Sequence, residues 1–310
     1  MWKYSEATRF SDRWKKNYQK SKYLYAMLLP LLLYYFIFHY IPMAGAIIAF
    51  QNYKPALGFL KSPWIGFTHF VDFFTGPYAW RLIRNTLVLN IYQIIFGFPV
   101  PILLALMINE VRIRSFKKVV QTISYMPHFI SLVVICGMLV TFSRTDGLFN
   151  DFRVLFGMER LSLLAENSMF RTIFTASGVW QTMGWGSIIY LATLSTVDPN
   201  LYEAASLDGA GRISKIIHVS FPALTPIIII QLIMRIGNIL TQGFEKIILL
   251  YSPLVYENAD VISSYVYRRG LQEMDYSFGA AMGIFNSIIN LTILVLANYT
   301  AKKTWNQSLW

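Results

Sequence analysis

Charge and cysteine are what this 310-residue chain has least of. Asp, Glu, Lys and Arg supply 14% of it against 55% hydrophobic residues, with a mean hydropathy of +0.45. Soluble domains carry about 25% charged residues, so an ordinary soluble globule is excluded. The single cysteine, Cys136, lies inside an apolar run; no intramolecular disulfide can form, and a small core residue is its simplest reading. Four histidines are scattered, three of them (His39, His128, His218) in or beside apolar segments, and no Cys/His group has the spacing of a metal site. No Gly-rich phosphate loop occurs, so the chain has no Walker site for ATP and no cofactor is expected on it. The excess of base, +11 with a pI near 9.6, falls in short clusters between apolar runs rather than in one patch, which argues against nucleic acid.

What is present is apolar length. Six stretches lack Asp, Glu, Lys and Arg altogether: 23–53, 85–109, 119–143, 172–197, 216–234 and 276–301. A spanning helix needs roughly 20 mainly apolar residues. The chain is therefore expected to be an all-α polytopic membrane protein, crossing the lipid bilayer at about 23–50, 85–109, 119–143, 172–197, 223–244 and 276–301. Fifteen of the 27 Lys and Arg lie in the tail 1–22, in 110–118, in 198–222 and after 301. Eleven lie in the longer segments 54–84, 144–171 and 242–275, diluted there by ten of the 16 acids. The positive-inside rule then puts both termini and residues 198–222 in the cytoplasm. The apolar stretch after the tail is too long for a signal peptide and ends in no cleavage site, so the first crossing is expected to be retained.

Several spans carry groups that lipid does not favour. Pro30 and Pro42 predict a kink or an end in the first crossing. Gln93, Pro99, Pro101, Gln121, Tyr125 and Pro127 mark the second and third. The stretch 144–171 reads as a small helical cap. In the fourth, Trp180, Gln181, Trp185 and Tyr190 sit among glycines and suit a cavity wall. Gly186-Ser187 has no following Gly and no suitably placed His, which removes an intramembrane serine protease from consideration. In the fifth, Gln231, Arg235, Asn238, Gln242 and Glu245 recur every three or four residues, as on one helical face, and read as a pore-lining stripe. Arg235 is the one cation inside a predicted span, and leaving it unpaired there costs about 2.5 kcal/mol or more, so a partner or an aqueous path is required. Asn286 and Asn290 of the sixth crossing are further pathway candidates.

The remaining feature is a polar island, residues 203–222. Glu203-Ala204-Ala205 favour helix, Asp208-Gly209 favour a turn, and a second short helix from Arg212 is expected to close at Pro222. Glu203-Ala204-Ala205, then Gly209, then Pro222, between two spans, resembles the EAA coupling loop of ABC importer permeases. Residues 64–86, with Gly66, Phe70 and Asn85-Thr86, resemble the carbohydrate branch of that family. Gly237-Asn238, Gly243-Phe244-Glu245, Leu249 to Pro253 and Asp260 to Gly270 resemble its LplB-like polysaccharide permeases; together the similarities cover most of 23–301.

The resemblance implies an ABC type I importer permease fold and an oligosaccharide cargo. It implies as partners a second homologous permease subunit, two ATP-binding subunits carrying ATP-Mg, and an extracytoplasmic solute-binding protein, in a bacterial cell membrane. Glu203, Ala204, Ala205, Asp208, Gly209 and Pro222 would then couple to the ATPase, Glu203 meeting a cation there and Gly209 permitting the bend. The chain itself would hydrolyse nothing. The rival is an ATPase-independent secondary transporter or channel, which predicts inverted internal repeats; none is evident.

Overall fold

The computed structural model describes residues 21–310 apart from Gln242. The expected basic tail therefore lies outside the described residues except for Ser21 and Lys22, as does the pathway candidate Gln242. Among the described residues every regular element is helical, and the only β feature is an isolated antiparallel bridge between Gln51 and Trp64.

Among the described residues four helices are long and apolar enough to cross a membrane: α1 (Ser21–Phe50), α2 (Ala79–Asn109), α7 (Arg212–Ile236) and α9 (Tyr276–Trp305). Proline explains their irregularities. α1 is not broken at Pro30; it widens into a π turn at Phe36–Tyr40 just before Pro42 and finishes as a 3-10 helix over Ala44–Phe50. α2 does the same at Gln93–Gly97, before Pro99 and Pro101, which have no N–H to give the ladder.

The third expected crossing is two helices, α3 (Arg114–Phe129) and α4 (Leu132–Phe142), bent by 93°. Pro127 sits in a terminal 3-10 turn, Ile130 is extended, and Ser131 caps the new helix by accepting from Val134 N at 3.3 Å.

The fourth is α5 (Asn167–Ser195), whose 29 residues reach about 43 Å at 1.5 Å per residue. Its Ser, Thr, Gln and Gly content keeps it below the apolarity of the other four. The polar island forms α6 (Pro199–Leu207), and α8 (Phe244–Leu250) follows α7 after a turn. The 144–171 stretch contains a short helix, Leu148–Leu155, tied by buried Asn150 to the carbonyls of Arg144 and Leu161, both at 2.7 Å.

Helix α5 is the central element. It packs along the Pro99–Asn109 half of α2 through Tyr190 and Leu194 against Ile102, Ala105 and Leu106. Phe170 and Phe174 at its other end join Leu89, Ile135, Ile247 and Val261. A separate core holds α9 to the rest, with Phe278 and Met282 against Ala49, Phe73, Leu82 and Ile262. Where α5 crosses α3, a Cβ on Gly184 would stand 1.9 Å from the Ser124 carbonyl oxygen, so only glycine allows this approach.

Candidate translocation cavity and coupling helix

Two polar cavities meet at Arg235. One, of about 540 Å³, lies between α2, α5, the end of α7 and α8, and is walled by Asn90, Gln93, Gln181, Arg235, Glu245 and Lys246 among others. The second, of about 470 Å³, is walled by Trp185, Tyr190, Gln231, Arg235 and Asn238 with Pro101. Arg235 reaches across from α7 to α2, where one terminal nitrogen donates to both the backbone and side-chain oxygens of Gln93, each at 3.3 Å. Its Nε is buried with no hydrogen-bond partner. Beside the second cavity, His128 stacks on Trp185 with ring centres 4.5 Å apart and planes 5° from parallel. The break between α3 and α4 is thereby fastened to α5.

The sequence candidates separate accordingly. Gln181 and Glu245 line the first cavity, Trp185, Tyr190, Gln231 and Asn238 the second, and Arg235 both. Trp180 instead lines an apolar groove with Ile135, Met138 and Phe142. Asn286 borders a separate groove beside Tyr267 and Gly279. Asn290 accepts from the Leu240 backbone at 3.3 Å, a packing bond. The stripe expected from 231 to 245 is not one helical face. α7 ends at Ile236, Asn238 lies in the turn after it, and Glu245 belongs to α8, which Gly243 starts in a left-handed conformation (φ +81°). The residue that sequence reading missed is Lys246, which it left in the outer segment 242–275. The short helix α8 turns it inward, 6% exposed, and its Nζ donates to the Phe174 carbonyl at 2.9 Å.

Beyond this cavity lies an ionic cluster. Asp260 is fully buried and is met by Arg268 at 2.8 Å, Arg81 at 3.5 Å and the Ser264 hydroxyl at 2.8 Å. Burial alone depresses the Arg268 pKa, but the hydrogen bond and charge of Asp260 outweigh it, and the net shift is upward. Asn85 ties the cluster to α2 and α5 by donating to the carbonyls of Glu257 and Asp260 and accepting from Arg171 at 2.9 Å.

At the opposite end of α5, the coupling candidate is built from strong local signals. Asp198 caps α6 by accepting from Asn200 N at 2.9 Å, and Pro199 occupies the first turn. The helix stops in a Schellman arrangement: Gly209 N bonds Ser206 O at 3.1 Å and Ala210 N bonds Ala205 O at 2.8 Å. Gly209 holds φ +78°, so the bend expected there is present. Lys215 Nζ to Ser206 Oγ (2.6 Å) and the Tyr202–Ser220 hydroxyl pair (3.0 Å) fold α6 back on α7. Glu203, Ala204 and Asp208 are left exposed, as is Leu207, at 89%. The second short helix does not close at Pro222. α7 runs from Arg212 to Ile236, and a π turn at Ile216–Ser220 accommodates the missing N–H at Pro222.

Residues 82–306 match the binding-protein-dependent transport system inner membrane component family, and the chain belongs to it. It is 43% identical over 292 residues to the polygalacturonan/rhamnogalacturonan transport system permease protein YteP of Bacillus subtilis (strain 168), covering 94% of this chain and 91% of that one. To protein LplB of the same organism it is 41% identical over 298 residues, covering 96% and 94%. The fold matches, with TM-score 0.88 and 44% identity over 94% of this chain and 99% of the other, a chain of a bacterial ABC transporter involved in the import of the acidic polysaccharide alginate. The chain is thus an ABC importer permease of the sugar and polysaccharide class, with the type I importer permease fold, and not an ATPase.

Proposed function

We propose that this chain crosses the cell membrane six times, with both termini inside, and forms half of a translocation pathway. It pairs with a second permease subunit above two ATP-binding subunits and receives a complex oligosaccharide from an extracytoplasmic binding protein. The bent pair α3–α4 counts as one crossing, and α5, long enough but more polar, as another that faces protein and cargo rather than lipid.

One observation carries the coupling: α6 is a short, well-capped helix whose outer side is exposed, inserted between the two helices that wall the polar cavities. Displacing α6 moves α5 and α7 directly, and with them Trp185, Tyr190 and Arg235. Contacts with an ATPase that differ between its open and closed states would bias the permease between conformations.

The cargo is taken to be an oligosaccharide rich in uronates. The support is a chain similar to transporters whose names carry polygalacturonan and alginate, and a cavity with amides and cations on its walls. The test is Glu203→Lys and Gly209→Asp in the assembled importer. Each is expected to abolish uptake and sugar-stimulated ATP hydrolysis while membrane insertion persists. Normal uptake in both variants would refute the coupling role.

A further inference from the structure

The larger cavity contains an imbalance. Arg235 and Lys246 both line it, and among the described residues no carboxylate lies within ion-pairing distance of either. Glu245, on the same wall, is exposed and pairs with neither. Lys246 uses one of its three N–H bonds on the Phe174 carbonyl, which the Ser177 hydroxyl also approaches at 3.3 Å. Among the described residues Arg235 makes two long bonds, both to Gln93. Buried cations are ordinarily matched by an anion or by several good acceptors, because an unpaired one costs several kcal/mol. Among the described residues, buried Lys246 adds to its carbonyl bond only the face of the Phe174 ring, 5.0 Å from its Nζ, half-buried Arg235 leaves donors unspent, and there is room beside both. A Cβ on Gly178 would stand 3.0 Å from Gln93 Nε2 and 3.4 Å from Lys246 Nζ. One on Gly97 would stand 3.1 Å from Gln93 Oε1 and 3.4 Å from an Arg235 terminal nitrogen. The Gln93 amide therefore lies near both cationic heads.

We propose that Lys246 and Arg235, which line one cavity with Gln93, form a two-point cradle for carboxylates of the passing sugar, and that Lys246 determines the preference for acidic over neutral oligosaccharide. This rests on the reading of the chain as an oligosaccharide permease and assigns that specificity to residues. The guanidinium offers a planar, bidentate fork and the ammonium a point charge with rotatable donors, so neighbouring uronates of different orientation can be held in turn. The long bonds of Arg235 suit a transit site, because a carboxylate can take it from Gln93 and give it back. Gln93 supplies hydrogen bonds to sugar hydroxyls without adding charge.

The test uses the assembled permease–ATPase complex in nanodiscs without the binding protein, titrated with trigalacturonate and with the same trisaccharide after carboxyl reduction. The acidic trimer is expected to bind at least tenfold tighter, with the advantage shrinking as salt rises from 50 to 500 mM, arbitrary settings bracketing roughly 14 to 4 Å of screening length. Lys246→Gln should collapse the acid-to-neutral ratio toward one, and Lys246→Arg should restore most of it. A wild-type ratio near one, a ratio unchanged in Lys246→Gln, or a salt-independent ratio would overturn the cradle, and uptake of either sugar by the complete importer would leave the permease reading intact. Failure of the complete importer to take up either sugar would overturn the cargo reading together with the cradle.

Discussion

Gly184 offers the sharpest test of the packing that builds the cavity. Its substitution by alanine places a methyl group 1.9 Å from the Ser124 carbonyl oxygen, 2.3 Å from its carbon and 2.9 Å from Tyr125 N. All three obstacles are backbone, so no side chain can swing aside. Restoring an ordinary C···O contact of about 3.3 Å requires α5 and α3 to part by about 1.4 Å. That separation loosens the stack of His128 on Trp185 one residue away. Overpacking of this kind costs about 1–3 kcal/mol, and backbone obstruction puts Gly184→Ala at the upper end. Two other helical glycines calibrate the result. Gly186→Ala meets only the Pro101 ring, at 3.2 Å, and Gly137→Ala meets nothing within 4 Å. Alanine is the better helix former by about 1 kcal/mol, so Gly137→Ala is expected to be neutral or stabilising. Thermal unfolding of the purified importer should therefore rank stability as Gly137→Ala, then Gly186→Ala, then Gly184→Ala well below. Equal midpoints for Gly184→Ala and Gly137→Ala would refute the close crossing.

Other consequences are as direct. Arg235→Ala should depress uptake of oligouronides more than of neutral oligosaccharides of equal length; indifference would remove this residue from the cargo path. Asp260→Ala leaves Arg268 and Arg81 facing a buried vacancy and should destabilise the complex by about 3 kcal/mol, the low end for breaking a buried pair because both arginines keep some exposure; chemical denaturation would read this, with Asp260→Asn intermediate. Asp198→Ala removes the α6 cap, worth about 1 kcal/mol. It should lower ATPase stimulation without changing the amount of protein inserted, and wild-type stimulation would show that α6 holds its shape without the cap.

Much of this was legible in the residues, and what was not has a physical cause. The run lengths announce long helices, and Gly209 announces its own turn, because both signals are local. Charge, however, is an ambiguous sign near a span end. Lys246 reads as part of the outer segment 242–275, and only the end of α7 at Ile236 and the new helix from Phe244 bring it back into the protein. The polar residues from 231 to 245 keep helical spacing across a turn that the spacing itself cannot reveal, because periodicity is blind to a break that preserves register. The bend between α3 and α4 shows in the residues only as Pro127, and a proline inside an apolar run fits a kink, a π turn or a stop equally well. Trp180 and Trp185 illustrate a further limit: five residues apart on one helix, they face different neighbours, an apolar groove and a stacked histidine.

Proline in this chain is followed back, three times, to a widened turn rather than to a helix end: Phe36–Tyr40 before Pro42, Gln93–Gly97 before Pro99, Ile216–Ser220 before Pro222. A π turn reaches back five residues instead of four and so loosens the carbonyl ladder without ending the helix. At Gln93 the consequence is functional geometry, because the carbonyl at the head of that turn is one of the two oxygens that hold Arg235. At Ile216–Ser220 the same device lets α7 continue through Pro222 as one helix from Arg212, beside α6, to Arg235, at the meeting of the cavities. Those 23 residues of rise, about 35 Å, make a continuous helical connection, with Pro226 inside it, where a break at Pro222 would have made a hinge. Inserting an alanine after Val219 should therefore rotate Arg235 by about 100° relative to α6 and silence transport while leaving α7 helical, whereas a true hinge at Pro222 would absorb the insertion.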